Sequence, residues 1–85
     1  MRAIEGYEIG PADTSTILAP SGLNPLHIGE QNGRLFLWAE VAPEAPVTSY
    51  VLHVVGTGKA APEGAMHLGS VVTGRFVWHI YMEKR

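Results

Sequence analysis

Ten glycines and six prolines interrupt this 85-residue chain so often that no interior stretch free of both exceeds nine residues. An average α-helix needs about 11 or 12 residues, and an apolar repeat of period 3.6 is absent. Helix is therefore excluded as the main element, and the chain reads as short extended segments separated by turns. The predicted strands are 3–9, 14–19, 26–31, 34–41, 48–55, 67–73 and 75–82. Between them stand Gly10-Pro11-Ala12-Asp13, the run from Pro20 to Pro25, Pro43-Glu44-Ala45-Pro46 and the long spacer 56–65, each holding residues that turns require. Asn32-Gly33 is the sharpest local signal, because both residues accept the positive φ of a type I′ hairpin turn. A second hairpin is expected at Thr73-Gly74. About seven short strands at this spacing predict an all-β fold, a small antiparallel sandwich or barrel.

Alternation assigns the faces. Along 34–41, Leu35, Leu37, Ala39 and Val41 share one face, and Phe36 and Trp38 the other. Along 76–82, Phe76, Trp78, Ile80 and Met82 oppose Val77, His79 and Tyr81. Strands apolar on both faces are covered twice. Eighty-five residues make one domain, spanning 1–85, that buries only about 60% of its unfolded surface, and there is no cysteine to staple it. The second cover is therefore expected to be another subunit, which makes the protein a homo-oligomer.

The formal net charge is −2, with Arg2, Arg34, Lys59, Arg75, Lys84 and Arg85 scattered rather than aligned. DNA or RNA binding needs a basic stripe, so no nucleic-acid partner is expected. The start MRAIEGYEIG is not a signal peptide, and no apolar run nears the ~18 residues of a membrane helix. A soluble, cytoplasmic protein without membrane contact is expected.

The segment Val54-Val55-Gly56-Thr57-Gly58-Lys59-Ala60-Ala61-Pro62 carries the main functional question. Gly56, Gly58 and Ala61 match G-x-G-x-x-[GA], yet Pro62 leaves no room for the helix that a dinucleotide fingerprint must open. A Walker loop fails as well, since His53 stands where its first glycine belongs and Ala60 replaces its hydroxyl. Two readings remain: a flexible loop, or a turn whose backbone N–H groups and Lys59 meet an anion. If every connection reverses direction, the turns 10–13, 32–33 and 56–65 share one end, bringing Arg34 beside Lys59. That plan puts Arg75 at the other pole, from which it joins a site only across a subunit boundary. The ligand-binding candidates are Arg34, Gly56, Thr57, Gly58, Lys59, Arg75, Trp78 and His79.

His27, His53, His67 and His79 fall on four different strands with no H-x-H or H-x-x-x-H spacing, so no metal site is assigned. Histidines of this kind pack against aromatics, and His27 is expected across from Trp38 in the Asn-Gly hairpin. The serines lack a nucleophile-elbow context, and the eight carboxylates are dispersed. No catalytic residue and no cofactor is assigned, and the protein is expected not to be an enzyme. Trp38, Trp78, Phe76 and Tyr81 are core or interface residues, or else a stacking surface for a nucleobase.

The order Gln31-Asn32-Gly33, Leu37-Trp38-Ala39-Glu40-Val41, Gly56-Thr57-Gly58, His67-Leu68-Gly69-Ser70 and Phe76-Val77-Trp78-His79 spans nearly the whole chain. In that order the chain resembles a family of small, uncharacterised proteins from bacteriophage and prophage genomes, carried as a domain of unknown function. His67-Leu68-Gly69-Ser70 stands where that family shows an aromatic-Ile-Gly-Thr run. The resemblance implies a phage origin and the cytoplasm of an infected bacterial host. Together with the residues above it suggests a non-catalytic accessory protein that sequesters a nucleotide-derived host immune signal. The alternative is a protein-interaction or virion accessory protein with no small-molecule ligand.

Overall fold

A computed structural model describes residues 1–83; Lys84 and Arg85, counted above among the basic residues, lie outside the described residues. Seven strands make up the fold: β1 (Ala3–Ile9), β2 (Thr14–Pro20), β3 (Asn24–Gln31), β4 (Arg34–Val41), β5 (Val47–Gly56), β6 (Ala65–Thr73) and β7 (Phe76–Glu83). They form two antiparallel sheets, one ordered β1-β4-β3 and the other β2-β5-β7-β6. The all-β expectation and the strand count hold. Among the described residues no helix is long enough and apolar enough to cross a membrane.

Local chemistry explains the hairpins. Asn32 and Gly33 have φ of 54° and 79°, the positive pair of a type I′ turn, and β3 runs back onto β4 from Gln31↔Arg34. The Glu30 carboxylate accepts the Gly33 N–H and closes that turn. Pro20 and Pro25 lie on β2 and β3, both sheet-edge strands, where the missing N–H costs no ladder bond.

The core follows the predicted alternation on β4, where Leu37 and Ala39 are 0% exposed. Leu52 and Ile80 face them from the four-stranded sheet, also at 0%. No polar or charged residue is buried among those described. Gly69 admits the close approach of β6 to β3, for a Cβ there would stand 3.3 Å from Ile28 Cβ. One polar atom is out of place: the buried Ser15 hydroxyl has no hydrogen-bond partner among the described residues. Ser15→Ala should therefore raise stability by about 1 kcal/mol, because the orphaned group's desolvation cost disappears. An unchanged or lower urea midpoint would contradict this.

Tyr7 packs against the core, and burial, helped by the Glu5 carboxylate and by Tyr50, raises its phenol pKa above 10.0. The fold thus favours the neutral phenol. Below the unfolded value the proton is bound in both states and pH has no effect through this group. Above it the unfolded chain ionises first, so stability falls as pH rises toward the folded value. Urea midpoints measured between about pH 9 and pH 11 should fall less steeply for Tyr7→Phe than for the wild type.

One topological expectation is overturned. β7 lies between β5 and β6, pairing Gly56↔Trp78 on one side and Thr73↔Phe76 on the other. Therefore β5 and β6 run in the same direction, and residues 57–64 carry the chain from one pole of the sandwich to the other. Not every connection reverses direction. The Gly74-Arg75 turn consequently sits at the same pole as Gly56, not the opposite one.

Candidate functional site

That pole collects the β1–β2 turn, the Asn32-Gly33 turn, the end of β5 and the Gly74-Arg75 turn. Two cavities open there. One, of about 420 Å³, is bounded by Glu8, Gly10, Asp13, Arg34, Val54 and Trp78 among others. The second, of about 460 Å³, is bounded by Asp13, His53, Gly56, Lys59, Pro62 and Trp78 among others. Asp13, Val54 and Trp78 line both, so the two form one cleft with Arg34 on one side and Lys59 on the other. Each part lies in the size range of small-molecule sites.

Trp78 is the fixed wall of this cleft. Its Nε1–H donates to Thr73 Oγ1 at 2.9 Å, and its ring stacks on Phe76 with centroids 5.6 Å apart. Gly56 lies opposite on β5, where a Cβ would come within 3.4 Å of the indole. The glycine thus leaves the indole its space, which is a packing role. The turn beyond it closes on itself: Lys59 N–H donates to the Gly56 carbonyl at 3.1 Å. That N–H is therefore taken, contrary to the expectation of a concavity built from freed amides. Gly58, with φ of 93°, is exposed in the same turn.

The electrostatics are balanced. Arg34 pairs with Glu8 at 3.5 Å, both side chains being largely exposed, and Asp13 adds a second carboxylate opposite Lys59. The cleft offers two cations, two carboxylates and an indole face. Such a wall suits a ligand that carries acceptors and donors together with a flat ring, rather than a bare anion. Sequence reasoning missed Glu8 and Asp13, although Asp13 ends a turn already expected at this pole.

Two candidates lie elsewhere. Adjacent strand residues point to opposite faces, so His79 faces away from Trp78, toward the outer side of the four-stranded sheet. There Thr57 Oγ1 donates to the Val77 carbonyl at 3.4 Å, and His79 Nε2 is 2.9 Å from the same hydroxyl. Since Thr57 has one proton, His79 must donate through Nε2, leaving Nδ1 to accept from Ser70 Oγ at 2.7 Å. Ser70 in turn accepts from His67 Nε2 at 3.2 Å. Beside this chain, His53 bridges Thr14 Oγ1 and the Glu83 carboxylate, at 3.3 and 2.9 Å. Both nitrogens of His79 and of His53 are thus engaged. Among the described residues no group of three or more His, Asp or Glu could hold a metal ion. The Ser70–His79 pair has a threonine where a catalytic triad has a carboxylate, and neither residue lines the cleft. Arg75 is exposed in its turn at the cleft pole, and His27 does lie across from Trp38.

Among known proteins, the profile of a family described as "Domain of unknown function (DUF7352)" matches residues 1–85. No curated protein and no solved structure is similar to the chain.

Proposed function

The chain belongs to the DUF7352 family over residues 1–85, and from its geometry we propose that it is a non-catalytic binding module for a small nucleotide-derived anion. The observation that carries this reading is the single cleft in which Arg34, Lys59 and Asp13 surround the fixed indole of Trp78. A nucleotide meets each of these groups. Its phosphate takes the cations, its base stacks on the indole, and exocyclic amino groups donate to Asp13 or Glu8. Arg75, at the same pole, is within the reach of a longer ligand. The biological setting that follows from the resemblance to phage proteins is sequestration of a host immune signal in the bacterial cytoplasm. Sequestration needs stoichiometric capture and no chemistry.

The test is to incubate the protein with a panel of linear and cyclic nucleotides and ADP-ribose derivatives, then denature it by heat and recover the ligand. Intact recovered ligand supports the proposal; altered ligand would make the protein an enzyme, and no depletion would remove the small-molecule reading. Arg34→Ala and Lys59→Ala should each weaken capture by about tenfold, the worth of one charge-assisted contact, with folding unchanged.

Self-association belongs to the same proposal. Phe76, stacked on Trp78 beside the cleft, is 56% exposed. A second copy covering it would enclose the pole and limit solvent access to the ligand. Light scattering at micromolar concentration should report a dimer or larger; a monomer mass would refute it.

A further inference from the structure

The outer face of the three-stranded sheet holds aromatic chemistry that the cleft does not use. Its cross-strand rows read Ile4–Glu40–Asn24, Gly6–Trp38–His27 and Glu8–Phe36–Gly29. A Cβ on Gly6 would stand 3.2 Å from Trp38 Nε1, and one on Gly29 would stand 3.1 Å from its Cζ3. The indole therefore lies across the sheet from β1 to β3, in a space that exists because both neighbours lack side chains. Phe36 and His27 flank it at centroid distances of 5.6 and 5.9 Å, tilted by 35° and 34°. Trp38 Nε1–H has no acceptor among the described residues, whereas that of Trp78 is bonded. A shallow cavity of about 330 Å³, bounded by Gln31, Asn32, Arg34 and Phe36, continues the strip toward the cleft pole.

The rim is polar and self-neutralised. Arg2 pairs with Glu40 at 3.1 Å at one end, and Arg34 with Glu8 at 3.5 Å at the other. A nucleic acid requires excess positive charge on its stacking surface, and this face has none. A protein partner requires roughly 800 Å² per side. Three strands at about 4.8 Å spacing and seven residues at about 3.3 Å give a footprint of roughly 14 by 23 Å, small for an interface of that size. What matches is a small, neutral, flat ring with apolar hydrogens on one side and hydroxyls around its edge. The hydrogens bear the partial positive charge that a π-face attracts. The hydroxyls accept from Trp38 Nε1–H and donate to the carboxylates of Glu8 and Glu40.

We propose that this face is a binding platform for a neutral saccharide, with one pyranose ring stacked on Trp38 and the next over Phe36 toward Arg34. The site borders the cleft and shares Glu8 and Arg34 with it, but its stacking surface is Trp38 rather than Trp78. The probes are maltohexaose, cellohexaose and chitohexaose at millimolar concentration, read by NMR. The chain has two tryptophans, so two indole N–H signals, which Trp78→Phe assigns. At least one oligosaccharide should shift the Trp38 signal saturably and leave that of Trp78 in place. Trp38→Ala should weaken binding by about tenfold or more, the worth of one stacked ring. If that variant fails to fold, Phe36→Ala, with binding followed at the Trp38 signal, serves instead and should weaken binding several-fold. No shift with any of the three, equal binding by a folded Trp38→Ala, or a change of oligomeric state in that variant would each overturn the proposal.

Discussion

Replacing Leu37 by alanine is expected to lower the unfolding free energy by about 3 kcal/mol, the largest single effect among the substitutions considered. Leu37 lies on the middle strand of the three-stranded sheet, between Tyr7 and Ile28, and is 0% exposed. Both neighbouring strands are held to β4 by ladder bonds, so the backbone cannot move in to fill the void. Leu52 and Ile80 across the sandwich lose contacts that no other group replaces. A domain of this length has a total stability of about 4–13 kcal/mol at 0.05–0.15 kcal/mol per residue. The substitution therefore removes roughly a quarter of it at the least, and Tm should fall by roughly 12–24 °C. Leu18→Ala, at a position 68% exposed, is the control and should stay within about 0.5 kcal/mol of wild type. Equal costs at the two positions would mean that the sheets do not pack face to face as described.

Strand number, the Asn32-Gly33 hairpin and the buried face of β4 were legible because each is a local property. Glycine and proline punctuate the strands, two positive φ angles select Asn-Gly, and a period of two reveals the half-buried face. The order of strands in the second sheet is not local. Nothing in residues 57–64 announces that β6 starts at the far pole, because the information lies in β7 fitting between β5 and β6. That one insertion moved Arg75 to the cleft pole.

Bulges account for the rest. β6 slips by one residue between His67 and Gly69, and β3 slips between Pro25 and His27. A bulge reverses the parity of alternation, so residues three apart share a face. This is how His67 and Ser70 come to lie beside His79, a grouping that strict alternation separates. Alternation alone should have separated Trp78 from His79, both named above as ligand-binding candidates: consecutive residues on a strand cannot line one site. The Gly6 and Gly29 cradle around Trp38 was out of reach for a different reason. The two glycines are 23 residues apart and meet only through the register of β4 with both neighbours.

Tyr50→Phe is the second large effect, expected at about 2 kcal/mol although it deletes a single oxygen. Tyr50 is 6% exposed on the inner face of β5. Its hydroxyl donates to the Pro20 carbonyl at 2.9 Å and accepts from the Leu23 N–H at 3.3 Å. One side chain thus serves both ends of the β2–β3 turn at the pole away from the cleft. Phenylalanine fills the same volume and leaves the buried Leu23 N–H without that acceptor, so the cost is polar desolvation rather than a cavity. Ser21 N–H to the Pro46 carbonyl, at 2.8 Å, still ties the turn to the β4–β5 connection, so the variant should remain folded. Distance from the cleft makes this substitution discriminating. Tyr50→Phe should shift the urea midpoint down at constant m while nucleotide capture at room temperature stays at the wild-type level. Arg34→Ala and Lys59→Ala, exposed and at the opposite pole, should do the reverse. If Tyr50→Phe lost capture along with stability, the two poles would be coupled through β5, and the cleft would not be the self-contained site that Trp78, Arg34 and Lys59 define.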